Sequence, residues 1–592
     1  MRSREEILFR LGQETGNLWL YLAKPRCAAL SKSAALPLKG LPQPESVARR
    51  LRGTAHAVEV ERLAEQILAH RFPLLGLTIE TGPEIAWRRD PVSGIETGLD
   101  YLRRIPYLDA GRVGDHKVIW ELNRHQHWVL LAQAWLLTGK REYLGEIRTQ
   151  FESWCGQNPF QSGINWTSAL EVAFRALSWI WVYHLAGDGM EPGFRERFLN
   201  ELYRHGLHIE RNLSIYFSPN THLLGEAVAL HALGALFPAF PKRWAERGGA
   251  IVRQEMERQV HEDGSHFEQS SYYHVYALDM FLFHAVVAGS DERYRHRLTR
   301  MAEYAADLMG PQRTLPFLGD DDGGRFFHPF GARDRFGRAT LAACAAFLSR
   351  PEWLCDPCDL CELGAWWLGP EALDAACGAP AYASKLYPDA GIAVMTAGDV
   401  HILVDAGPFG VGSGGHSHSD TLSIVARCGG RDILIDPGTF TYVGDPTERD
   451  RFRGSAAHNT IRIDGRDQAE AAGPFRWNGR PEVRVLQWST SASEDMLEAE
   501  CHYDNFTHRR RVAFRKPGAL DIADTVTGPA GEHTVEQFWH GDSEAIRTCA
   551  SRELLSGWRS RALGHREPVP VLRVVRKGEL PISLRSTVIL AD

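Results

Sequence analysis

No run of this 592-residue chain is apolar over enough consecutive positions to cross a bilayer as a helix. The opening residues, Met1-Arg-Ser-Arg-Glu-Glu-Ile7, lack the apolar core of a secretory signal, so a cytoplasmic location is expected from the sequence as it stands. Neither sign of charge dominates. Lys and Arg number 67 against 74 Asp and Glu, a formal net charge of −7, which removes the electrostatic case for nucleic acid. Cysteine is sparse, 10 residues without the rhythm of a disulfide scaffold. Its tightest group, Cys355-Asp-Pro-Cys358-Asp-Leu-Cys361, looks like part of a cluster-binding run but has no fourth nearby cysteine; a reduced interdomain segment is the simpler expectation. Low-complexity stretches and fixed-period repeats are also missing. Apolar residues, by contrast, are plentiful at 44%. That is ample for packed cores, in a chain too long for a single one, so at least two domains are expected.

The chain changes character near residue 380. Before it, apolar residues recur at helical spacing, as in Trp128–Leu137 and Ala169–Trp179. After it come short β-branched runs between glycine turns: Val400–Val404, Asp432–Ile435, Thr460–Ile463, Arg511–Phe514 and Val571–Val575. Consecutive helices followed by consecutive strands predict a multidomain α+β chain. Residues 1–55 read as a helical arm and linker that ends in the proline-bearing stretch Leu36-Pro…Pro42-Gln-Pro44. Residues 56–378 then form the helical domain and 379–592 the β domain.

Two blocks carry chemistry. The later one opens Gly412-Ser-Gly-Gly-His416-Ser-His418-Ser-Asp420, passes Asp436-Pro-Gly and closes on Ala456-Ala-His458-Asn459-Thr460. Imidazoles at i and i+2 of an extended segment point to one side, and two imidazoles with a carboxylate suit zinc. The plain alternative is a solvated, glycine-rich hairpin loop. The earlier block runs Ser218-Pro-Asn220-Thr-His222-Leu-Leu-Gly-Glu226 and then Asp263-Gly-Ser-His266-Phe-Glu268-Gln-Ser-Ser-Tyr272-Tyr273-His274. Asn220 stands where a helix N-cap belongs, and Tyr272 and Tyr273 fit an aromatic helix face packed in a core. The same residues, delivered from two helix starts beside an HxH loop, are also suited to binding a carboxylate and moving a proton next to it.

Both blocks resemble the heparinase II/III family of polysaccharide lyases, in which an Asn-x-His-Leu-x-Gly-Glu segment precedes Asp-Gly-Ser-x-x-Glu…Tyr-His. The β domain of that family carries Gly-His-x-His-x-Asp…Asp-Pro-Gly…Ala-Ala-His-Asn-Thr. Trp120-Glu-Leu-Asn123-Arg124 and Asn165-Trp166…Glu171…Arg175 extend the resemblance over roughly residues 85–470. It implies an N-terminal (α/α) toroid followed by a C-terminal antiparallel β-sandwich, with the site in the cleft between them.

It also implies a lyase acting on an anionic 4-linked uronate polysaccharide: a glycosaminoglycan such as heparan sulfate, hyaluronan or chondroitin, or alginate or a bacterial exopolysaccharide. On this resemblance Asn220 or His222 meets the uronate carboxylate, Tyr273 transfers a proton, and His416 is the candidate base for the opposite face of the sugar. His418, Asp436 and His458 hold zinc or another divalent ion that anchors the His416 loop. Asn123, Arg124, Asn165, Glu171, Arg175, Glu268, Arg449 and Arg453 are expected at the substrate, with Arg451 adding to a local basic groove. Glu226, Glu268 and Asp420 are candidates to orient the groups that touch substrate or metal. Thr221 stands where many relatives carry a second Asn, which leaves open whether Asn220 or His222 faces the carboxylate. Relatives that degrade polymers are commonly exported, so the periplasm is the alternative that family analogy offers to the cytoplasm, and the departure from that pattern puts the usual scavenging role in doubt. Two other readings share the scaffold: a hydrolase or accessory enzyme of exopolysaccharide assembly, and a carbohydrate-binding protein with a relic site. Oligomeric state is not legible.

Overall fold

A computed structural model describes residues 2–28, 36–327 and 333–590 of the chain. Its helical half is a double ring. The helices Gln126–Thr138, Ala169–Ala186, Thr221–Leu236 and Ser271–Ala288 are apolar on nearly every side and buried on nearly every side. Their successors Glu142–Gln157, Pro192–Asn212, Lys242–Gln259 and Glu292–Met309 bury only one stripe each. All-round hydrophobicity forces a helix inside and a single stripe leaves it at the surface, so each pair sorts itself into an inner and an outer member. Close approach is enforced by small residues. A side chain at Gly248 would meet the Ala227 carbonyl oxygen and the His231 nitrogen at 2.5 Å.

The ring is closed by the helix Pro44–Leu51, which packs on Gln126–Thr138 and on the short helix Gly364–Leu368. A helix expected in the linker thus belongs to the packed ring. The small hairpin of Arg71–Leu74 and Leu77–Glu80 was not foreseen either; the backbone nitrogen of Gly76 at its turn donates to Leu563 of the β half at 2.9 Å.

All five predicted strands lie in antiparallel sheets. A five-stranded sheet runs Lys385–Tyr387, Ile392–Ala397, Val400–Asp405, Ile424–Cys428, Arg431–Leu434 in that order. Sheets of six and four strands follow, built from residues 461–589. In the first sheet the central strands are buried on both faces. Ile392, Val394 and Leu403 join the core of the helical half, while Ala393, Met395, Ile402 and Val404 join the core of the sandwich. That double burial explains why these strands read as unbroken apolar runs with no polar alternation. It also presses the loops at the edge of this sheet against the ring, where the site forms. Among the described residues no helix is long and apolar enough to cross a membrane.

Candidate active site between ring and sandwich

Three inner helices begin at one cleft of about 790 Å³. Ser168 caps the first, accepting from the Glu171 nitrogen at 3.4 Å; Asn220 caps the second through Oδ1, accepting from the His222 nitrogen at 3.1 Å. Ser270 caps the third, accepting from the Tyr273 nitrogen at 3.2 Å. Helix N-termini carry positive partial charge and unpaired N–H groups, so the floor of the cleft favours an anion. Lys117 and Arg124 line it as well. A larger hollow of about 980 Å³ lies elsewhere, lined by residues such as Pro42, Phe347 and Trp367, and holds none of the residues of the two motif blocks.

Asn220 does more than cap. Its Nδ2 donates to Glu268 Oε1 at 2.7 Å, so the amide is fixed at the cleft floor. Burial pushes the Glu268 carboxyl up from its usual range, only partly offset by the charge of His416 and by donors from Thr221 and Asn220. His222 is driven down to about 4, first by burial and then by the nearby His416. At neutral pH it is therefore an uncharged imidazole, able to donate a hydrogen bond but not to neutralise a carboxylate.

The Tyr273 hydroxyl donates to Asp322 Oδ2 at 3.1 Å and lies 3.1 Å from the Tyr442 hydroxyl. Burial, then the Asp322 charge, lifts its phenol well above the ordinary value, so it rests in the protonated state. Asp322 itself is drawn down to about 2, because Lys117 and Arg124 outweigh the cost of its burial. The His416 ring stacks on Tyr273 with centroids 3.8 Å apart and 23° between planes. This corrects the expectation that the two groups flank the sugar, since stacked rings leave no space between them. His416 and Tyr273 address the cleft from one side.

Asp320 organises this arrangement, and it was missed in the sequence. Its Oδ2 lies 3.1 Å from His416 Nδ1, its Oδ1 lies 2.9 Å from His418 Nε2, and Arg449 Nη2 donates to Oδ2 at 2.7 Å. Burial opposes its charge, but Arg449 and the two imidazoles outweigh that and hold it well below the usual carboxylate range. An ionised Asp320 favours the N–H of His416 at Nδ1, and Nε2 of the same ring lies 3.8 Å from Glu268 Oε1. The only sequence signal was the run Gly319-Asp-Asp-Asp-Gly-Gly324, whose glycines mark a turn carrying three carboxylates.

His418 meets Asp320 as well and also belongs to a second group. It shares a buried cluster with Asp420, Asp436 and His458, in which one ligand atom from each lies within 4.8 Å of the others. His418 Nδ1 and His458 Nε2 are buried without a hydrogen-bond partner. The opposite ring nitrogens are held by Asp320 and by Asp436 at 2.9 Å, as metal-binding imidazoles usually are. Burial and the Asp420 charge raise Asp405 well above the usual carboxylate range, and burial raises Asp420. So many enclosed carboxylates call for a cation, and the donor set fits one. Asp420, expected to orient, sits among the ligands. The HxH motif lies in a loop, not in an extended strand, which is how its two imidazoles serve different sites. Among the described residues this is the only group of three or more His, Cys, Asp or Glu side chains whose ligand atoms lie so close together.

Other expectations need correction. Asn123, Asn165 and Arg175 stand behind the cleft wall. Asn123 donates to the Trp87 and Ile119 carbonyls and accepts from Trp154; Asn165 donates to Trp87 and to Asn158. Arg175 spends its donors on His205 and on the carbonyls of Asn123 and Asn165. Arg453 is fully buried against the Gly473 and Pro474 carbonyls, and Arg449 is committed to Asp320. Arg451 pairs at the surface with Glu448. None of the six lines the cleft. Arg124 and Glu171 do line it, as a bidentate pair at 2.7 and 2.8 Å. Glu226 is remote, its carboxylate held by the backbone nitrogen and hydroxyl of Ser214, both at 2.7 Å.

Known proteins resemble this chain in sequence and fold. The profile "Heparinase II/III N-terminus" matches residues 43–325 and "Heparinase II/III-like, C-terminal" matches 379–576. A heparin-sulfate lyase of Bacteroides stercoris is 24% identical over 514 residues, covering 79% of this chain and 68% of its own length. One from Pedobacter heparinus is 24% identical over 498 residues, covering 79% and 66%. The chain thus spans about two thirds of the length of these curated relatives. A solved heparinase III superposes with a TM-score of 0.67 at 17% identity, covering 98% of this chain and 91% of that one. Such distant structural likeness speaks for a toroid followed by a sandwich. With the two profiles together matching most of its length, this chain belongs to the heparinase II/III family.

Proposed function

We propose that this protein is a polysaccharide lyase that cleaves a 4-linked uronate glycosaminoglycan by β-elimination. The observation that carries the reading is the stacked pair of Tyr273 and His416, delivered from two domains to a cleft floored by helix N-termini. Curated relatives of the chain are named heparin-sulfate lyases, which supports the substrate class.

The uronate carboxylate sits at the N-terminus of Thr221–Leu236, where Asn220 and the helix dipole lower the cost of the second negative charge that develops on it. The C5 proton leaves to His416 Nε2, and the C5 electron pair forms the C4–C5 double bond. The C4–O4 bond breaks, and Tyr273 protonates the departing O4. The high pKa of the phenol fits a proton donor. Because both groups act from one side, the geometry suits a sugar whose C5 proton and O4 share a face. That is glucuronate; in iduronate they lie on opposite faces. His418, Asp420, Asp436 and His458 would hold zinc, a donor set of two imidazoles and two carboxylates that suits that ion. Held there, it would brace the loop that carries His416, and no step of the elimination is routed through it.

The test is incubation with heparan sulfate, heparosan, chondroitin and hyaluronan. Ultraviolet-absorbing unsaturated uronate ends are the expected product; cleavage that yields only saturated ends means hydrolysis. Tyr273→Phe should keep binding and lose turnover by a factor of about 10² or more. Near-normal turnover rules Tyr273 out.

A further inference from the structure

The helix Arg4–Ala23 precedes the first residue matched by the family, residue 43, yet its residues line the same cleft as Tyr273 and His416. It is firmly docked. Asn17 is fully buried and exchanges side-chain hydrogen bonds with Asn212 at 2.7 and 2.9 Å, and Leu20 is buried beside it. Arg103 ties into the same junction, donating to Asn212 at 2.9 Å and pairing with Glu14 at 2.9 Å.

Toward the cleft this helix presents Phe9, whose ring meets Tyr216 edge-on at 5.3 Å. Phe217, 64% exposed, continues the same wall. Arg2 and Arg10 reach Glu6 at 3.5 and 2.8 Å. Three guanidiniums therefore share two carboxylates, Glu6 and Glu14, which leaves one positive charge over. The arginines are partly exposed, Glu14 is exposed and Glu6 is half-buried, so the pairings at this rim are exchangeable and worth little. A sulfate or carboxylate offers the same fork geometry. Apolar ring faces beside such forks match the two surfaces of an anionic sugar, its C–H face and its charged edge.

We propose that the helix Arg4–Ala23 builds a distal subsite for an anionic sugar unit of the same polymer, with Phe9 and Tyr216 as the platform and Arg10 and Arg103 as its anion partners. The subsite takes its ligand class from the lyase reading above.

Calorimetry with a heparan sulfate octasaccharide tests this, in a Tyr273→Phe background so that the ligand is not consumed. Arg10→Ala and Phe9→Ala should each weaken binding about tenfold. Leu22→Ser, on the outward face of the same helix where Leu22 is 70% exposed, should bind as its parent does. Dissociation constants unchanged in both cleft-facing variants overturn the subsite. So does equal weakening by Leu22→Ser, which traces the loss to the helix as a whole. No measurable binding by the parent also overturns it. The lyase reading fails separately, if the wild-type protein releases no unsaturated product from any uronate polymer.

Discussion

Stacking of His416 on Tyr273 decides more about this site than the presence of either residue. A base and an acid fixed on one side serve a syn elimination, so the enzyme should cleave glucuronate-type linkages at least about 10²-fold faster than iduronate-type ones. Rates matched within a few-fold on polymers that differ only in that epimer would mean that the pair separates to grip the sugar from both faces. Away from the cleft, Glu226 offers a residue-scale test of burial. Burial pushes its carboxyl up to about 8, against a usual value of 4.5. In the unfolded chain the group ionises first, so its contribution to stability falls as pH rises between those two values. Glu226→Gln removes this slope while keeping an acceptor for the Ser214 nitrogen. Its melting temperature should match the wild type near about pH 5 and equal or exceed it near about pH 8.5. A variant that is less stable at the higher pH would show that the carboxylate is charged and well satisfied in the fold.

Among elements, the loop Gly412–Asp420 has no regular structure of its own and takes its shape from what it ties together. His418 and Asp420 bind it to Asp436 and His458, while His416 reaches Asp320. Elemental analysis should find about one zinc per chain. Removing it with a chelator, or by His418→Ala, should lower the melting temperature together with activity, because a ligand that binds only the folded state stabilises it. Chelator-washed protein that never held a transition metal, with unchanged melting temperature, refutes the metal centre. The helix starts are a different kind of element. Asn220 and Ser270 look like ordinary caps and are caps, and the cap geometry itself is what points the N-termini into the cleft.

For the whole molecule the decisive contact is Asp320, which belongs to the helical half and gathers His416, His418, Arg449 and Thr439 from the sandwich. All five are buried or nearly so. Removing one partner of such a buried ion pair strands the other charge, at a cost of about 3–5 kcal/mol. Asp320→Ala should therefore lower the unfolding midpoint sharply and abolish turnover, and Asp320→Asn should recover part of the stability without restoring the His416 tautomer. Stability close to the wild type in Asp320→Ala would show that the two halves are held by their apolar interface alone.

Periodicity and β-branched runs determined the order of a helical and then a sheet half, because a helix or strand must declare its buried face in local spacing. The motifs Asn220…Glu226, Asp263…His274 and Gly412…Thr460 determined the family and most of the cleft floor, since those residues lie close together in sequence. Partnership across the domains was not written there. Asp320 and Tyr442 become visible only once the ring presses on the sandwich, and neither stands in a spacing that betrays it. The arginines misled for a related reason. A guanidinium at the substrate and one buried against carbonyls look the same in sequence, and the difference lies in which acceptors the fold brings near. Tertiary structure likewise assigned His416 to the cleft and His418 to the metal-capable cluster, two residues apart, because a loop without β pairing is not held to the strand geometry that gives residues i and i+2 the same surroundings.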